Sequence, residues 1–227
     1  MNNVIFIKKK INDFKVDVKI NLINGINCFF GPSGAGKTSI IKNVIKKLNN
    51  ENKESKFSVS HTTRLPREGD IDGNDYFFVS NERFAELYEA GNFIEIAEVH
   101  DNRYGTSKDF IDKNINQGIN VFLEIDVQGF QKLRSKNVEF RSVFILPPSI
   151  GELRTRIQKR GLDSKDVIEK RMKNALKELG QAEEYDYLVI NDIFENAIEE
   201  LLEIVINKGF KDHTYDKKLK ILQDLLS

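Results

Sequence analysis

A glycine-rich segment of eight residues constrains the fold of this chain more than any other part of its sequence. Residues 31–38 read GPSGAGKT and match the pattern G-x-x-x-x-G-K-[ST] without a gap. The apolar run Ile26–Phe30 before the segment predicts a buried strand, and the apolar spacing over 39–48 predicts a helix after it. A strand, this loop and a helix in that order are typical of an α/β protein built on a parallel sheet.

The same segment predicts a site for the phosphates of a nucleoside triphosphate such as ATP. Its glycines let backbone N–H groups point at phosphate oxygens, and the following helix adds the positive end of its dipole. In such loops the lysine, here Lys37, reaches the β- and γ-phosphates, and the hydroxyl of Thr38 ligates Mg²⁺. The alternative is a glycine-rich turn that only caps a helix. The predicted ATP-binding residues of the loop are Gly31, Pro32, Ser33, Gly34, Ala35, Gly36, Lys37 and Thr38.

Apolar periodicity along the rest of the chain predicts strands that alternate with helices. Alternation in the first 22 residues predicts a hairpin, and further strands are expected at 57–59, 120–125, 139–146 and 187–191. Helices are expected at 81–90, 107–117, 149–160, 165–184 and 196–206. This order indicates an α/β fold with a doubly wound parallel sheet.

Composition excludes several classes of protein. The chain has 227 residues, of which 40% are hydrophobic and 31% charged, and its formal net charge is zero, which argues against a protein that coats nucleic acid or an anionic membrane. Cys28 is the single cysteine, so an intrachain disulfide is impossible. The sequence shows no apolar stretch with the length of a signal peptide or a membrane span, and we expect a cytoplasmic protein.

A second set of motifs predicts where a phosphate acceptor binds. Arg64 and Arg67 lie three residues apart in a loop that contains Pro66, and Tyr76 follows in the segment 73–79. Two guanidinium groups and a phenol can form several charge-assisted hydrogen bonds with one phosphate dianion. The segments 93–95, 102–107 and 122–129 then read FIE, NRYGTS and FLEIDVQG.

With these motifs in their order, the chain resembles the guanylate kinase family over residues 25–206. The resemblance implies the fold of P-loop nucleoside monophosphate kinases: a doubly wound parallel core, a small mixed α/β acceptor-binding subdomain and a short helical lid. It implies transfer of the γ-phosphoryl group of Mg-ATP to GMP or dGMP. It also implies a clamp on the GMP phosphate formed by Ser60, Arg64, Arg67, Tyr76 and Tyr104, and readers of the guanine edge at Glu95, Thr106 and Asp126.

On the donor side, the resemblance implies that Arg156, Arg160 and Arg171 are lid and hinge arginines that close over the triphosphate and act with Lys37 in catalysis. It places Asn191 near the adenine of ATP. Physical arguments support the main roles independently, because guanine presents adjacent N1–H and N2–H₂ donors to a carboxylate and phosphoryl transfer requires positive charge around the moving group. The structural alternatives are solvated helix arginines and packing tyrosines.

The chain departs from the family pattern in two respects. Glu124 stands where the family usually carries Asp, and we expect this longer carboxylate to hold Mg²⁺ through water. The start of the chain is longer than usual and resembles the opening of transporter ATPases. Residues 207–227 also extend past the usual end, and their apolar spacing predicts an amphipathic helix that packs on the core or on another subunit.

We therefore expect a single guanylate kinase-like domain over residues 1–227. The core covers about 1–60, 116–154 and 171–206, the GMP-binding subdomain about 61–115, the lid about 155–170 and the C-terminal extension about 207–227. The expected partners are ATP, GMP and dGMP with Mg²⁺, with no nucleic acid and no membrane, in a monomer or homodimer.

Three other functions remain open from the sequence. A transporter-type ATPase requires a Ser-Gly-Gly signature and an apolar strand that ends in Asp-Glu, and the sequence contains neither. A catalytically inactive guanylate-kinase-like interaction module typically lacks the P-loop or the lid arginines, and both are present here. A kinase for another small phosphate acceptor has no use for Glu95 and Asp126 as readers of a base.

Overall fold

The computed structural model describes residues 4–11, 14–21, 25–99, 101–136, 138–159, 165–207 and 212–226. The strands in this part of the chain are β1 (Val4–Ile11), β2 (Phe14–Asn21), β3 (Ile26–Phe30), β4 (Ser55–Phe57), β5 (His61–Thr62), β6 (Phe77–Phe78), β7 (Phe93–Val99), β8 (Asn102–Ser107), β9 (Asn120–Glu124), β10 (Phe140–Leu146) and β11 (Tyr187–Ile190). The α-helices are α1 (Lys37–Asn50), α2 (Asn81–Glu89), α3 (Lys108–Asn116), α4 (Val127–Ser135), α5 (Ile150–Lys159), α6 (Lys165–Leu179), α7 (Phe194–Ile206) and α8 (Tyr215–Leu226).

The central sheet contains five parallel strands in the order β11-β10-β3-β9-β4. β3 lies in the middle, and the chain leaves it toward β4 on one side and later returns to β10 on its other side. Ligands of open parallel sheets bind beyond the carboxyl ends of the strands, at the point where the strand order reverses. This arrangement confirms the predicted doubly wound sheet and directs attention to the carboxyl end of β3.

Alternate residues of the central strands form two separate apolar cores, one on each face of the sheet. On one face Phe30, Leu123 and Leu188 pack with side chains of α3, α4 and α8, and on the other Phe29 and Phe122 pack with side chains of α1 and α7. The side chains of a strand point alternately to opposite faces, so a strand covered on both sides is buried along its length and mostly apolar. All five residues of β3 are buried accordingly.

A second, four-stranded sheet has the order β6-β5-β8-β7 and mixes parallel with antiparallel pairs. Its main feature is the antiparallel hairpin of β7 and β8, which the sequence analysis did not identify as strands. α2 covers this sheet through Phe84, whose ring stacks on that of Phe93 with the ring centroids 4.8 Å apart. This mixed unit spans the segment in which the resemblance places the acceptor-binding subdomain.

Two predicted elements differ from the observed ones. The strand expected at 57–59 is β4, which begins and ends two residues earlier. The helix expected over 165–184 ends at Leu179, and a 3₁₀ turn at Ala182–Glu184 follows Gly180. Glycine is a poor helix former, and the break allows Ala182 and Tyr185 to enter the apolar core.

The two ends of the chain add elements to this framework. β1 and β2 pair as an antiparallel hairpin from Val4↔Asn21 to Ile11↔Phe14, as the alternation predicted. The predicted C-terminal helix is α8, and Leu222 and Leu225 on it belong to the same apolar core as Leu188. None of the described helices combines the length and apolar character that a membrane span requires.

Candidate functional site

The loop after β3 adopts a backbone conformation that requires glycine at two of its positions. Gly31 has φ +132°, and a Cβ atom there would lie 2.3 Å from the carbonyl oxygen of Ile145 on β10. Gly36 has φ +87°, and a Cβ atom there would lie 2.4 Å from Nδ2 of Asn191. Residues with a side chain rarely adopt such φ values, and at Gly31 the obstructing atom belongs to the backbone of a buried strand. The loop therefore keeps its phosphate-binding shape without a ligand.

Lys37 and Thr38 open α1 beside this loop and both face Glu124 at the end of β9. Nζ of Lys37 donates to the carbonyl oxygens of Gly31 at 2.7 Å and Pro32 at 3.2 Å, and lies 3.7 Å from a carboxylate oxygen of Glu124. The hydroxyl of Thr38 donates to the other carboxylate oxygen of Glu124 at 2.7 Å. The ammonium, hydroxyl and carboxylate groups are thus assembled at the carboxyl end of the sheet.

Asn191, at the end of β11, supports the loop from behind. The side-chain amide of Asn191 donates to the carbonyl oxygen of Ala35 at 2.6 Å. The backbone carbonyl oxygen of Asn191 accepts from Nη1 of Arg156 at 3.2 Å. Glu152, one turn earlier on α5, accepts from Nε of Arg156 at 2.7 Å. The structure therefore places Asn191 against the loop and Arg156 against Asn191, while the contact of Asn191 with adenine remains a prediction. Arg160 lies outside the described residues, and Arg171 lies half-buried on α6.

Two of the predicted acceptor-phosphate residues, Arg64 and Tyr104, lie beside the ring of Tyr76. The guanidinium of Arg64 lies 5.2 Å from the centroid of that ring, and the ring of Tyr104 lies 5.7 Å from it. Asp70 accepts from Nη2 of Arg64 at 2.8 Å and from the backbone N–H of Arg67 at 2.8 Å. Asp70 therefore holds the arginine loop in shape, and Arg67 itself is exposed. Ser60 precedes β5 and is half-buried.

The predicted guanine readers meet between β7, β8 and α4. Glu95 is only 5% exposed, and its carboxylate accepts a short hydrogen bond from the hydroxyl of Thr106. Burial raises the pKa of Glu95 to about 7, an effect that the hydrogen bond from Thr106 opposes and the charge of Asp126 reinforces. Asp126 caps α4 by accepting from the backbone N–H of Gly129 at 2.9 Å, and burial also raises its pKa. Buried Glu95 and half-buried Asp126 therefore lie close enough for their charges to interact.

The acceptor cluster lies close enough to the phosphate-binding loop for charges to interact. Burial raises the pKa of Tyr76 to about 12, and the next contribution comes from the charge of Glu124, which also contacts Thr38. One turn of α1 from Thr38, Nζ of Lys42 lies 3.7 Å from a carboxylate oxygen of Asp75 in the loop before Tyr76. The residues on the two sides of the cleft therefore face a common space.

A known protein family matches most of the length of this chain. The guanylate kinase family model matches residues 27–208. The chain belongs to the guanylate kinase family. Its relatives include the guanylate kinase of Caldanaerobacter subterraneus subsp. tengcongensis, at 46% identity over 195 residues that cover 86% of this chain and 93% of that protein. The guanylate kinase of Escherichia coli K12 is 47% identical over 174 residues, which cover 77% and 83% of the two chains.

A solved structure leads to the same family. The crystal structure of guanylate kinase from Anaplasma phagocytophilum superposes with a TM-score of 0.66 at 29% sequence identity, over 88% of this chain and 96% of that one. The P-loop kinase fold expected from the sequence is thereby confirmed. The family match begins at the second residue of β3 and ends just after α7, so the hairpin of β1 and β2 and helix α8 flank the part typical of guanylate kinases.

Three carboxylates near the site were missed by the sequence analysis. Asp70 and Glu152 bond to the predicted site arginines Arg64 and Arg156. Glu178 lies on α6, where burial raises its pKa and the charge of Lys37 lowers it. A weak sequence signal existed for Glu178, which lies seven residues after Arg171 and so shares a helix face with it. For Asp70 the signal was its place beside two arginines in a short loop.

Two negative findings define the site further. The described residues contain no group of three or more His, Cys, Asp or Glu side chains that could hold a metal ion. A cavity of about 540 Å³ lies at the amino ends of β3 and β10, bounded by Ile26, Phe93, Ile111 and Val138. It includes none of the predicted site residues.

Proposed function

We propose that this chain transfers the γ-phosphoryl group of ATP to GMP, and to dGMP, to give ADP with GDP or dGDP. The observation that carries the proposal is the carboxyl pair of Glu95, which is buried, and Asp126, which is half-buried and close enough for its charge to raise the pKa of Glu95. Guanine offers adjacent N1–H and N2–H₂ donors, and an ionised carboxylate is a pure acceptor. Burying two such groups is costly unless a ligand supplies donors, and this favours guanine over the other bases.

On the donor side, we propose that the backbone of the loop and Lys37 hold the phosphates of ATP. Lys37 now bonds to two loop carbonyls, and those bonds are replaced when phosphate oxygens become available to the ammonium. Arg156 extends from α5 toward the loop, and Arg160 and Arg171 complete the arginine set over the transferring group. Such fixed positive charge acts where negative charge develops in the transition state. Asn191 holds the loop from behind and lies on the adenine side.

The oxygen atoms of Thr38 and Glu124 fit Mg²⁺. A hydroxyl and a carboxylate bonded at 2.7 Å are hard oxygen ligands, and Mg²⁺ in kinases usually takes one or two protein ligands and completes its shell with water and phosphate oxygens. We propose that Thr38 ligates the ion directly and Glu124 through water. The bound ion offsets the charge of the β- and γ-phosphates.

On the acceptor side, we propose that Ser60, Arg64, Arg67, Tyr76 and Tyr104 hold the phosphate of GMP, and that Glu95, Thr106 and Asp126 read its base. The ring of Tyr76 is half-buried beside Arg64, and its raised pKa keeps the hydroxyl protonated at neutral pH, so that it can donate to a phosphate oxygen. The attacking group is a phosphate oxygen of GMP, which is already ionised, so no side chain has to remove a proton from it. The bond from the γ-phosphorus to the β-bridging oxygen breaks as the new P–O bond forms.

The domain division proposed for the chain follows from these roles. The core covers about 1–60, 116–154 and 171–206, the GMP-binding subdomain 61–115, the lid 155–170 and the C-terminal extension 207–227. We propose a cytoplasmic enzyme that works on free nucleotides as a monomer or homodimer and uses neither nucleic acid nor membrane, because its substrates are small cytoplasmic metabolites and its net charge is zero.

The decisive experiment measures kcat/KM for GMP, dGMP, IMP and AMP with Mg-ATP. IMP lacks the N2–H₂ donors, and AMP presents an unprotonated N1 to a carboxylate. Sites that hydrogen-bond their substrates reject analogues without those groups by about 10⁴-fold or more, so we expect GMP and dGMP first, then IMP, then AMP. Comparable values for AMP and GMP contradict the proposal. GMP binding without any GDP formation supports the inactive interaction module instead.

A further inference from the structure

Glu95 lies against a glycine of α4 that leaves it no spare room. A Cβ atom added at Gly129 would lie 2.7 Å from Oε2 of Glu95 and 3.1 Å from its Cδ atom. Gly129 lies within the helix Val127–Ser135, and its φ is not in the left-handed region. Alanine forms helices better than glycine, so the helix itself gains nothing from glycine at this position. A side chain at position 129 would fill the space beside the carboxylate of Glu95.

The strand that carries Glu95 is irregular at this point and is bonded to the same helix. The register of β7 against β8 shifts between Phe93 and Glu95, which places a β-bulge next to Glu95. The carbonyl oxygens of Ile94 and Ile96, on either side of Glu95, accept from Nζ of Lys136 at 2.6 Å and of Lys132 at 2.5 Å. Bulges next to active sites redirect a side chain, and here both flanking carbonyls are held by α4.

We propose that Gly129 is a positioning residue for guanine recognition: its missing side chain lets the carboxylate of Glu95 lie against the first turn of α4 beside Asp126, while Lys132 and Lys136 hold the bulged strand in place. This inference rests on the proposed role of Glu95 as a reader of guanine. It assigns to α4 the alignment of both carboxylates, since the helix is capped by Asp126 and contains Gly129 at its first turn.

A methyl group at position 129 displaces Glu95 before it displaces any backbone. The two nearest atoms belong to the end of the Glu95 side chain, and the third, Cβ of Ile125, lies at 3.3 Å. Glu95 is buried and its other carboxylate oxygen accepts from Thr106, so movement of the carboxylate breaks that hydrogen bond. We therefore expect the protein to fold with alanine at this position and to bind GMP poorly.

The test compares Gly129→Ala with Gly151→Ala by steady-state kinetics and thermal melting. Gly151 is also within a helix, but a Cβ atom there meets nothing closer than Oγ of Ser149 at 3.9 Å. We expect Gly129→Ala to raise KM for GMP about tenfold or more, with KM for ATP within about twofold and Tm no lower than wild type. Gly151→Ala leaves both KM values unchanged.

Two outcomes separate failure of this inference from failure of the proposed function. Glu95→Gln with an unchanged KM for GMP removes Glu95 from guanine recognition and overturns both. If Glu95→Gln raises that KM and Gly129→Ala does not, only the positioning role of Gly129 is overturned. An equal rise in KM for GMP and ATP in Gly129→Ala also overturns it, since a general loss of structure then explains the effect.

A pH profile tests the two lysines and serves as well if Gly129→Ala does not fold. The groups that face Glu95 come from three elements. They are the hydroxyl of Thr106 on β8, the thiol of Cys28 on β3, and the charged groups at and next to α4: Asp126, Lys132 and Lys136. We expect kcat/KM for GMP to rise with pH as Glu95 ionises. In Lys132→Met/Lys136→Met both ammonium groups are lost, so the carboxylate of Glu95 is less stabilised. We expect the midpoint of the rise in kcat/KM to move to higher pH by about half a unit or more.

The control for this profile is the double variant Lys46→Met/Lys47→Met, in which both replaced side chains are exposed on α1. The phosphate of GMP also titrates in this range, but it does so identically with every variant, so a difference between the two double variants reports on the protein. Coincident midpoints for the two double variants overturn the role of the lysines.

Discussion

At the scale of single residues, the site combines groups that burial makes costly with groups that hold them in place. Glu95 is buried, accepts from Thr106 and has a pKa of about 7, well above that of an exposed glutamate. Such a group is nearly balanced between its two protonation states at neutral pH. Its environment therefore lowers stability in exchange for an acceptor that guanine can satisfy.

The first prediction concerns the stability cost of Glu95. Its pKa is higher in the folded protein than in the unfolded chain, so its contribution is most favourable below about pH 4.5 and is lost as pH rises through about 7. Glu95→Gln does not titrate. At pH 8 we expect a higher Tm for this variant than for wild type, with a free energy of unfolding that is larger by up to about 3 kcal/mol. Both differences should shrink toward pH 5.5.

The control for this prediction is Glu98→Gln on the same strand, because Glu98 is exposed. Melting curves at several pH values between 5.5 and 8.5 provide the measurement. A stabilisation by Glu95→Gln that does not vary with pH shows that burial of the charge is not its cause.

The second prediction concerns the shape of the cation that binds the GMP phosphate. Arg67 is exposed in a loop that Asp70 holds, so Arg67→Lys leaves the fold intact but replaces a planar fork by a single ammonium. We expect KM for GMP to rise about tenfold and KM for ATP to stay constant. Arg83→Lys, at an exposed arginine paired with Glu86, is the matched control. An unchanged KM for GMP in Arg67→Lys removes Arg67 from the clamp.

At the scale of elements, α8 belongs to the core although it lies beyond the family match. Leu222 and Leu225 pack with Leu188 of β11, and Lys218 forms ion pairs with Glu200 and Asp212 while it is itself only 5% exposed. Of the two positions that the sequence left open for this helix, the structure places it on the core. An exposed ion pair contributes little to stability, but breaking a buried one leaves an uncompensated charge.

The third prediction follows from this packing. Leu222→Ala removes a fully buried side chain and should lower the free energy of unfolding by about 2–5 kcal/mol. Leu226→Ala, four residues later on the same helix and 46% exposed, should change it by less than about 0.5 kcal/mol. Denaturant titrations of the two variants provide the comparison. Equal, small effects mean that α8 does not support the core in solution.

At the scale of the whole molecule, the residues proposed to act in the reaction come from two parts of the chain, and we propose that the substrates bind in a cleft between them. The P-loop, Lys37 and Thr38 belong to the parallel sheet and α1, whereas Arg64, Tyr76 and Glu95 belong to the mixed sheet. The ion pair of Lys42 with Asp75 joins the two sides at 3.7 Å and is partly exposed, so it contributes little energy. Nothing in this contact prevents the two parts from moving relative to each other.

The fourth prediction is closure of the cleft when both nucleotides bind. Exclusion of water protects the transferring phosphoryl group from hydrolysis, and lids and acceptor subdomains close for this reason. We expect small-angle scattering to show a smaller radius of gyration with a bisubstrate analogue than with either nucleotide alone. Lys37→Ala, which holds the triphosphate poorly, should show a smaller decrease. A radius that does not change in the wild type contradicts closure by the acceptor segment and lid.

The sequence by itself determined the parts of this protein that depend on neighbouring residues. The strand, P-loop and helix at 26–50, the strands of the parallel sheet, most of the helices and the family could be predicted, because contiguous motifs and apolar periodicity report local geometry. Helix α4 was missed. The hairpin of β7 and β8 was missed because the two residues between these strands, His100 and Asp101, are not Asn-Gly or a similar turn sequence.

Only the tertiary structure decided which distant residues meet. Three examples are the contact of Gly129 with Glu95, the hydrogen bond from Asn191 to the P-loop and the packing of α8 on the core. Each joins residues that are 34 or more positions apart in the sequence. Sequence spacing carries no information about such contacts, since they depend on how whole elements pack. The carboxylates that hold the arginines differ from these contacts, because they are local: Glu152 lies four residues before Arg156 on the same helix, and Asp70 lies six residues after Arg64. Their sequence signal existed and was overlooked.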